Sequence, residues 1–175
     1  AVTQVEESIG MLEARAFVDE KLLELNGNSA AWLAAEQRPF VEAMNQKMAE
    51  TLWYNDGIIH PERFMGFAPR FSDKSAPNGK NIIDAGGTGA NNASIWLIVW
   101  SRDTCFGIYP HGSQAGIASK DLGINTVEDG NGGRFEAHEK RHRWDLGLCL
   151  KDWRYVVRIA NIDVTKLSKD LSTGA

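Results

Sequence analysis

The pentad HEKRH, residues 138–142, sets two histidines four apart beside Glu139. On a helix that spacing puts both rings on one face, where a third ligand could complete a zinc site. From Phe135 onward, however, apolar and polar residues alternate as in a strand. There the two rings stand about 13 Å apart along one face, so no metal is expected. Glu136, His138 and Asp145 could be imagined as a hydrolytic cluster, yet no GxSxG elbow supplies a nucleophile. No catalytic set is assigned on these grounds.

The glycine-rich segments fail similar tests. DAGGTGANN (84–92) suggests a dinucleotide loop, but Asn92 takes the third glycine's place. The strand-like SIWLIVW follows where a helix should hold the pyrophosphate, so a hairpin loop is expected. GSQAGIASK lacks the Gly-Lys-Ser/Thr ending of a phosphate loop. EDGNGG lacks the closing glutamate of a calcium loop, because Lys140 stands at the twelfth place counted from Asp129. No cofactor is expected. The sequon at Asn92 is read as chance, because the opening AVTQVEESIG has neither a basic start nor an apolar middle. Cys105 and Cys149 lie in strand-like apolar runs and read as reduced packing residues. EKRHRW gathers Lys140, Arg141, His142 and Arg143, either a solvated strand face or a surface for an acidic neighbour.

The elements carrying these residues fall into two parts. Residues 10–18 alternate, with Leu12, Ala14, Ala16 and Val18 on one side, which predicts a half-buried strand. DEKLLEL is helical and stops at Gly27. A second helical stretch begins near Ser29, and Pro39 predicts a fresh helix start. From there Phe40, Met44, Met48 and Leu52 form an apolar stripe to about Asn55, read as core packing. SDKSAPNGK reads as loop, and from Asn81 onward β-favouring runs alternate with turn-rich joints. The stretch HRWDLGLCLKDWRYVVRIANIDV (142–164) holds two tryptophans between two strand-like halves, so Trp153 is placed in the core. The expected fold class is α+β: residues 1–66 as strand plus helices, 67–175 as a β-rich portion.

Bulk composition narrows function without naming it. Of 175 residues, 43% are apolar and 24% charged, as in an ordinary globular protein. The net charge of −4 excludes a polycation built to coat nucleic acid. The longest apolar run, IWLIVW, falls far short of the roughly 18 residues that span a bilayer. The opening Ala and the polar close KLSKDLSTGA suggest a piece of a longer polypeptide.

FMGFAPRFS, NGKNIIDAGGTGANNASIWLIVW, FGIYPHGSQAG, DLG, GNGGRF and above all WDLGLCLKDWRYVVRIANIDV resemble the major capsid proteins of short-tailed bacteriophages. The resemblance covers essentially the whole chain. It implies a Hong-Kong-97-like coat fold, with the helix from Pro39 to Asn55 as its long spine helix. It implies a subunit that self-assembles into the icosahedral head shell around the DNA genome, without sequence-specific DNA binding and without chemistry. The implied partners are copies of itself in pentamers and hexamers, with scaffolding or decoration proteins as further candidates. The implied location is the virion capsid, assembled in the host cytoplasm.

Subunit contacts of standard size bury about 1,600 Å² and join an apolar centre to a charged rim. The candidate rim is Arg63, Arg70, Arg134, Arg141 and Arg143 against Asp73, Asp121 and Asp129. Arginine suits that role because its planar fork grips a carboxylate through two hydrogen bonds. The competing reading is a β-rich phage decoration or tail module whose Arg141–His142–Arg143 face holds a protein or glycan partner.

Overall fold

The computed structural model describes residues 4–167, so the last eight residues of the polar close lie outside the described residues. Strand β1 (Ile9–Asp19) alternates as its sequence requires, burying Gly10, Ala16 and Val18 while Met11, Glu13, Arg15 and Phe17 face outward. Helix α1 (Glu20–Leu25) is capped by Asp19, whose carboxylate accepts from the Lys21 N–H at 2.7 Å. Gly27 and Asn28 then turn left-handed, at φ +69° and +53°, and end the helix where the glycine predicted it.

The long helix departs from expectation at Pro39. It runs unbroken as α2 from Ala30 to Tyr54, capped by the Ser29 hydroxyl, with Pro39 inside it. Pro39 removes a single N–H from the ladder, and the turns on both sides carry the helix past it. Ser29 supplies the start expected there, and no second start occurs at the proline. Met44 and Met48 are buried as the stripe predicts, whereas Phe40 lies at the surface margin.

The strands form two sheets. In the larger, β6 (Arg134–Leu150) is the central strand. Antiparallel to it run β1 on one side and, on the other, β5 (Ile117–Glu128) and β4 (Cys105–Ile108), each paired with a different length of β6. Thus β1 of the front segment is bonded along its whole length to β6 of the rear. In the smaller sheet, β7 (Val156–Asp163) is central, with β2 (Ile82–Asp84) parallel and β3 (Asn92–Ile98) antiparallel. The two halves of the 142–164 stretch therefore serve different sheets.

The loop from residue 85 to 91 is a correction. It joins β2 to β3, which flank β7 without pairing with each other, so it crosses a strand end instead of closing a hairpin. Its backbone is spent on β7, because the Ala85 and Gly87 N–H groups donate to the Ala160 and Asn161 carbonyls.

The core sits where the two sheets and α2 meet. Its fully buried side chains are Phe64, Phe67, Phe71, Leu148, Val156 and Cys105. Phe67, on the short helix α3 (Phe67–Arg70), meets Trp53, Trp96 and Trp100 at ring centroids of 5.4, 5.7 and 6.0 Å. Arg158 of β7 lies 5.3 Å from the Trp96 ring centre and donates to the Phe71 carbonyl at 2.8 Å. Trp144 and Trp153 pack against this cluster only partly buried, so the Trp-rich stretch reaches the centre through Leu148 and Val156, beside the three phenylalanines of the FMGFAPRF segment. Gly66 allows the chain to double back under α2, since a Cβ there would stand 2.6 Å from the Thr51 carbonyl oxygen.

Candidate functional site

The HEKRH pentad has the His-Glu-x-x-His order of helical zinc sites, but it lies in mid-strand on β6. His138 Nε2 faces Asp121 at 3.2 Å, while His142 Nδ1 faces the Ser119 hydroxyl at 2.8 Å. Strand spacing holds the two rings about 13 Å apart, so the pentad cannot close on one ion. Glu139 points to the other face of β6, where it accepts from Arg15 of β1 at 3.0 Å and Asn125 of β5 at 2.8 Å. It clamps three strands together. Asp145 shares that odd-numbered face, opposite Glu136 and His138, so the imagined hydrolytic cluster is not assembled. Its carboxylate accepts from Ser113 and Arg143, and Glu136 accepts from the Thr126 hydroxyl. Both cysteines are free, and burial pushes the Cys105 thiol up to about 11.

The charged candidates separate by what they already hold. Arg70 is engaged inside the subunit, its fork closed on Glu7 by two bonds of 2.6 Å. Arg143 reaches Asp145 at 3.2 Å with its side chain half-exposed, and Arg63 reaches Glu62 at 3.3 Å. Asp121 accepts from the Gly123 N–H beside its contact with His138. Asp73 accepts from the Ser75 N–H and hydroxyl, bonds that hold its carboxyl below the usual range. Asp129 shapes the turn between β5 and β6 by accepting from the Asn131 and Gly133 N–H groups. Arg134, exposed at the base of that turn, and the half-buried Arg141 have no ion-pair partner among the described residues.

A bare apolar surface lies on the smaller sheet. On the outer side of the smaller sheet, Ile83 of β2 and Ile95 of β3 both stand opposite Ile159 of β7, and Leu97 of β3 stands opposite Val157. Ile83, Ile95, Leu97, Val99 and Tyr155 are each about half-exposed, with Leu97 at 57%. A second row, Ile9, Met11 and Phe17, lies along the outer face of β1. The sequence reading placed its contacts on arginines and missed this face. The signal was present in IWLIVW, for a strand apolar on both sides belongs where both sides are covered.

A family model described as Major capsid protein GP7 matches residues 1–175. A chain in the cryo-EM structure of bacteriophage Epsilon15 superposes with a TM-score of 0.67 at 35% identity, over 98% of this chain and 52% of that one. The holo-SrpI encapsulin complex of Synechococcus elongatus PCC 7942 superposes with a TM-score of 0.60 at 12% identity, over 90% and 75%. At that identity the likeness speaks for the fold alone. The chain spans about half the length of the Epsilon15 chain it matches. No curated protein matches.

Proposed function

The chain belongs to the major capsid protein GP7 family, and from that membership we propose that the full-length polypeptide self-assembles into a closed phage head shell around DNA. Its α+β architecture is the Hong-Kong-97-like fold expected of such a coat. The match over residues 1–175 carries the reading, because the whole chain, and not one motif within it, follows the family pattern.

Physical features support it. The larger sheet is cross-braced by Glu139 with Arg15 and Asn125, and a rigid subunit keeps its edges in register with neighbours. The outer face of the smaller sheet supplies an apolar centre, while Arg63, Arg134, Arg141 and Arg143 with Asp73, Asp121 and Asp129 supply the rim. Arg70 stays with Glu7 and contributes indirectly, by fixing the segment before β1. In this reading the subunit performs no chemistry, and neighbouring copies meet in pentamers and hexamers. Scaffolding or decoration proteins assist, and assembly takes place in the host cytoplasm. Negative-stain imaging of the purified full-length gene product, alone and with its scaffold, tests the proposal. Closed particles of uniform diameter are expected, and a persistently monomeric product under both conditions overturns it.

A further inference from the structure

Between α2 and the face of β5 and β6 that carries Ser119 and His142 lies an open groove of about 470 Å³, within the size range of small-ligand pockets. Ala34, Gln37, Arg38, Val41 and Glu42 line it from the helix, and Ser119, Lys140 and His142 from the strands. On the neighbouring strand β1, the short side chains of Ala14 and Ala16 stand opposite His142 and Lys140.

Two groups in this groove carry unmet hydrogen-bonding capacity. Gln37 and His142 are 4% and 3% exposed, yet Gln37 Nε2 and His142 Nε2 have no partner. A buried polar atom left without a partner costs on the order of 1–3 kcal/mol, so two along one groove are an unusual concentration. The 2.8 Å contact between the Ser119 hydroxyl and Nδ1 fits either ring tautomer; we assign the hydroxyl as its donor, which puts the ring proton on Nε2 and makes His142 a donor like Gln37. Arg38 and Lys140 bring two positive charges against one carboxylate, Glu42, whose Oε1 is occupied by the Gln46 amide at 3.1 Å.

We propose that this groove binds a small oxyanion, a phosphate or carboxylate group held by the Gln37 amide and the His142 ring N–H and neutralised by Lys140 and Arg38. The site stands apart from the apolar outer face of the smaller sheet and does not depend on the shell reading. Charge-assisted donors suit the ligand, because N–H groups in a half-dry groove gain most from a charged acceptor.

Equilibrium dialysis of the full-length protein against radiolabelled inorganic phosphate tests the site in phosphate-free buffer, whether or not the protein is assembled. Saturation near one phosphate per subunit is expected, with about tenfold weaker binding in Lys140→Gln and in Gln37→Leu. Lys140→Gln changes a half-exposed side chain, so its result stands even if the buried Gln37→Leu change disturbs folding. Competition by acetate at lower concentration than phosphate identifies a carboxylate as the natural group. Competition only by phosphate identifies a phosphate. Non-saturating uptake, or equal uptake by wild type and Lys140→Gln, overturns the proposal and leaves the groove to water.

Discussion

Arg70 closes a two-pronged ion pair on Glu7: Nη1 reaches Oε1 and Nη2 reaches Oε2, both at 2.6 Å, with side chains only 14% and 11% exposed. The same guanidinium donates to the Met65 carbonyl at 3.2 Å, so it ties the segment before β1 to the turn entering α3. Removing one partner of a fully buried pair costs roughly 3–5 kcal/mol, and this pair keeps a little solvent. Glu7→Gln is therefore expected to lower stability by about 2–3 kcal/mol, read from urea unfolding midpoints. Arg70→Lys, which keeps the charge and loses the fork, should recover only part of it. An unchanged midpoint in Glu7→Gln contradicts the assignment.

Phe67→Ala tests where the core is centred. Phe67 is fully buried and touches three tryptophans, so its truncation should cost about 3–5 kcal/mol. Trp153→Ala, at the partly buried margin, should cost less. Calorimetry that ranks Trp153→Ala as the more damaging change would move the centre back to the Trp-rich stretch.

His142 makes stability depend on pH. Burial, and then the charge of Lys140, holds its ring below the ordinary value, so the folded chain keeps it neutral where the unfolded chain protonates it. The unfolded chain then binds more protons between the folded value and about 6.5, and stability falls as pH drops through that window. Unfolding midpoints measured from pH 7.5 down to 5 should fall more steeply for wild type than for His142→Gln. Parallel profiles would remove His142 as the cause.

Sequence revealed the elements better than their partners. β1 was legible because Leu12, Ala14, Ala16 and Val18 alternate on a strand with one covered face. The start of α2 near Ser29 and its Met44 and Met48 stripe were legible, but its continuity was not, because a proline rule broke the helix at Pro39. The place of β7 between β2 and β3 left no trace in the 85–91 loop, whose turn residues serve a crossing as well as a hairpin. The Arg70–Glu7 pair spans 63 residues, and no local pattern marks such a partner. Phe64, Phe67 and Phe71 have helical spacing, yet Gly66 and Pro69 between them disguised the core's centre as a connection.

Rim charges should act on assembly without acting on the fold. Arg134 is exposed and without an ion-pair partner among the described residues, so Arg134→Ala should leave circular dichroism and the unfolding midpoint unchanged. In the full-length polypeptide it should lower particle yield severalfold at low salt and less at high salt, where the contact that Arg134 makes is itself screened. Wild-type yield from Arg134→Ala would strike that residue from the rim.

The central claim is that copies of this subunit hold one another through the bare apolar face of the smaller sheet. Leu97 of the edge strand β3 is 57% exposed on this face, and an aspartate there would meet water in the free subunit but apolar side chains in a shell. Sedimentation velocity of the full-length protein measures this directly. The account predicts fast-sedimenting particles for wild type and folded, slow-sedimenting subunits for Leu97→Asp. Particles of normal size and yield from Leu97→Asp would contradict it.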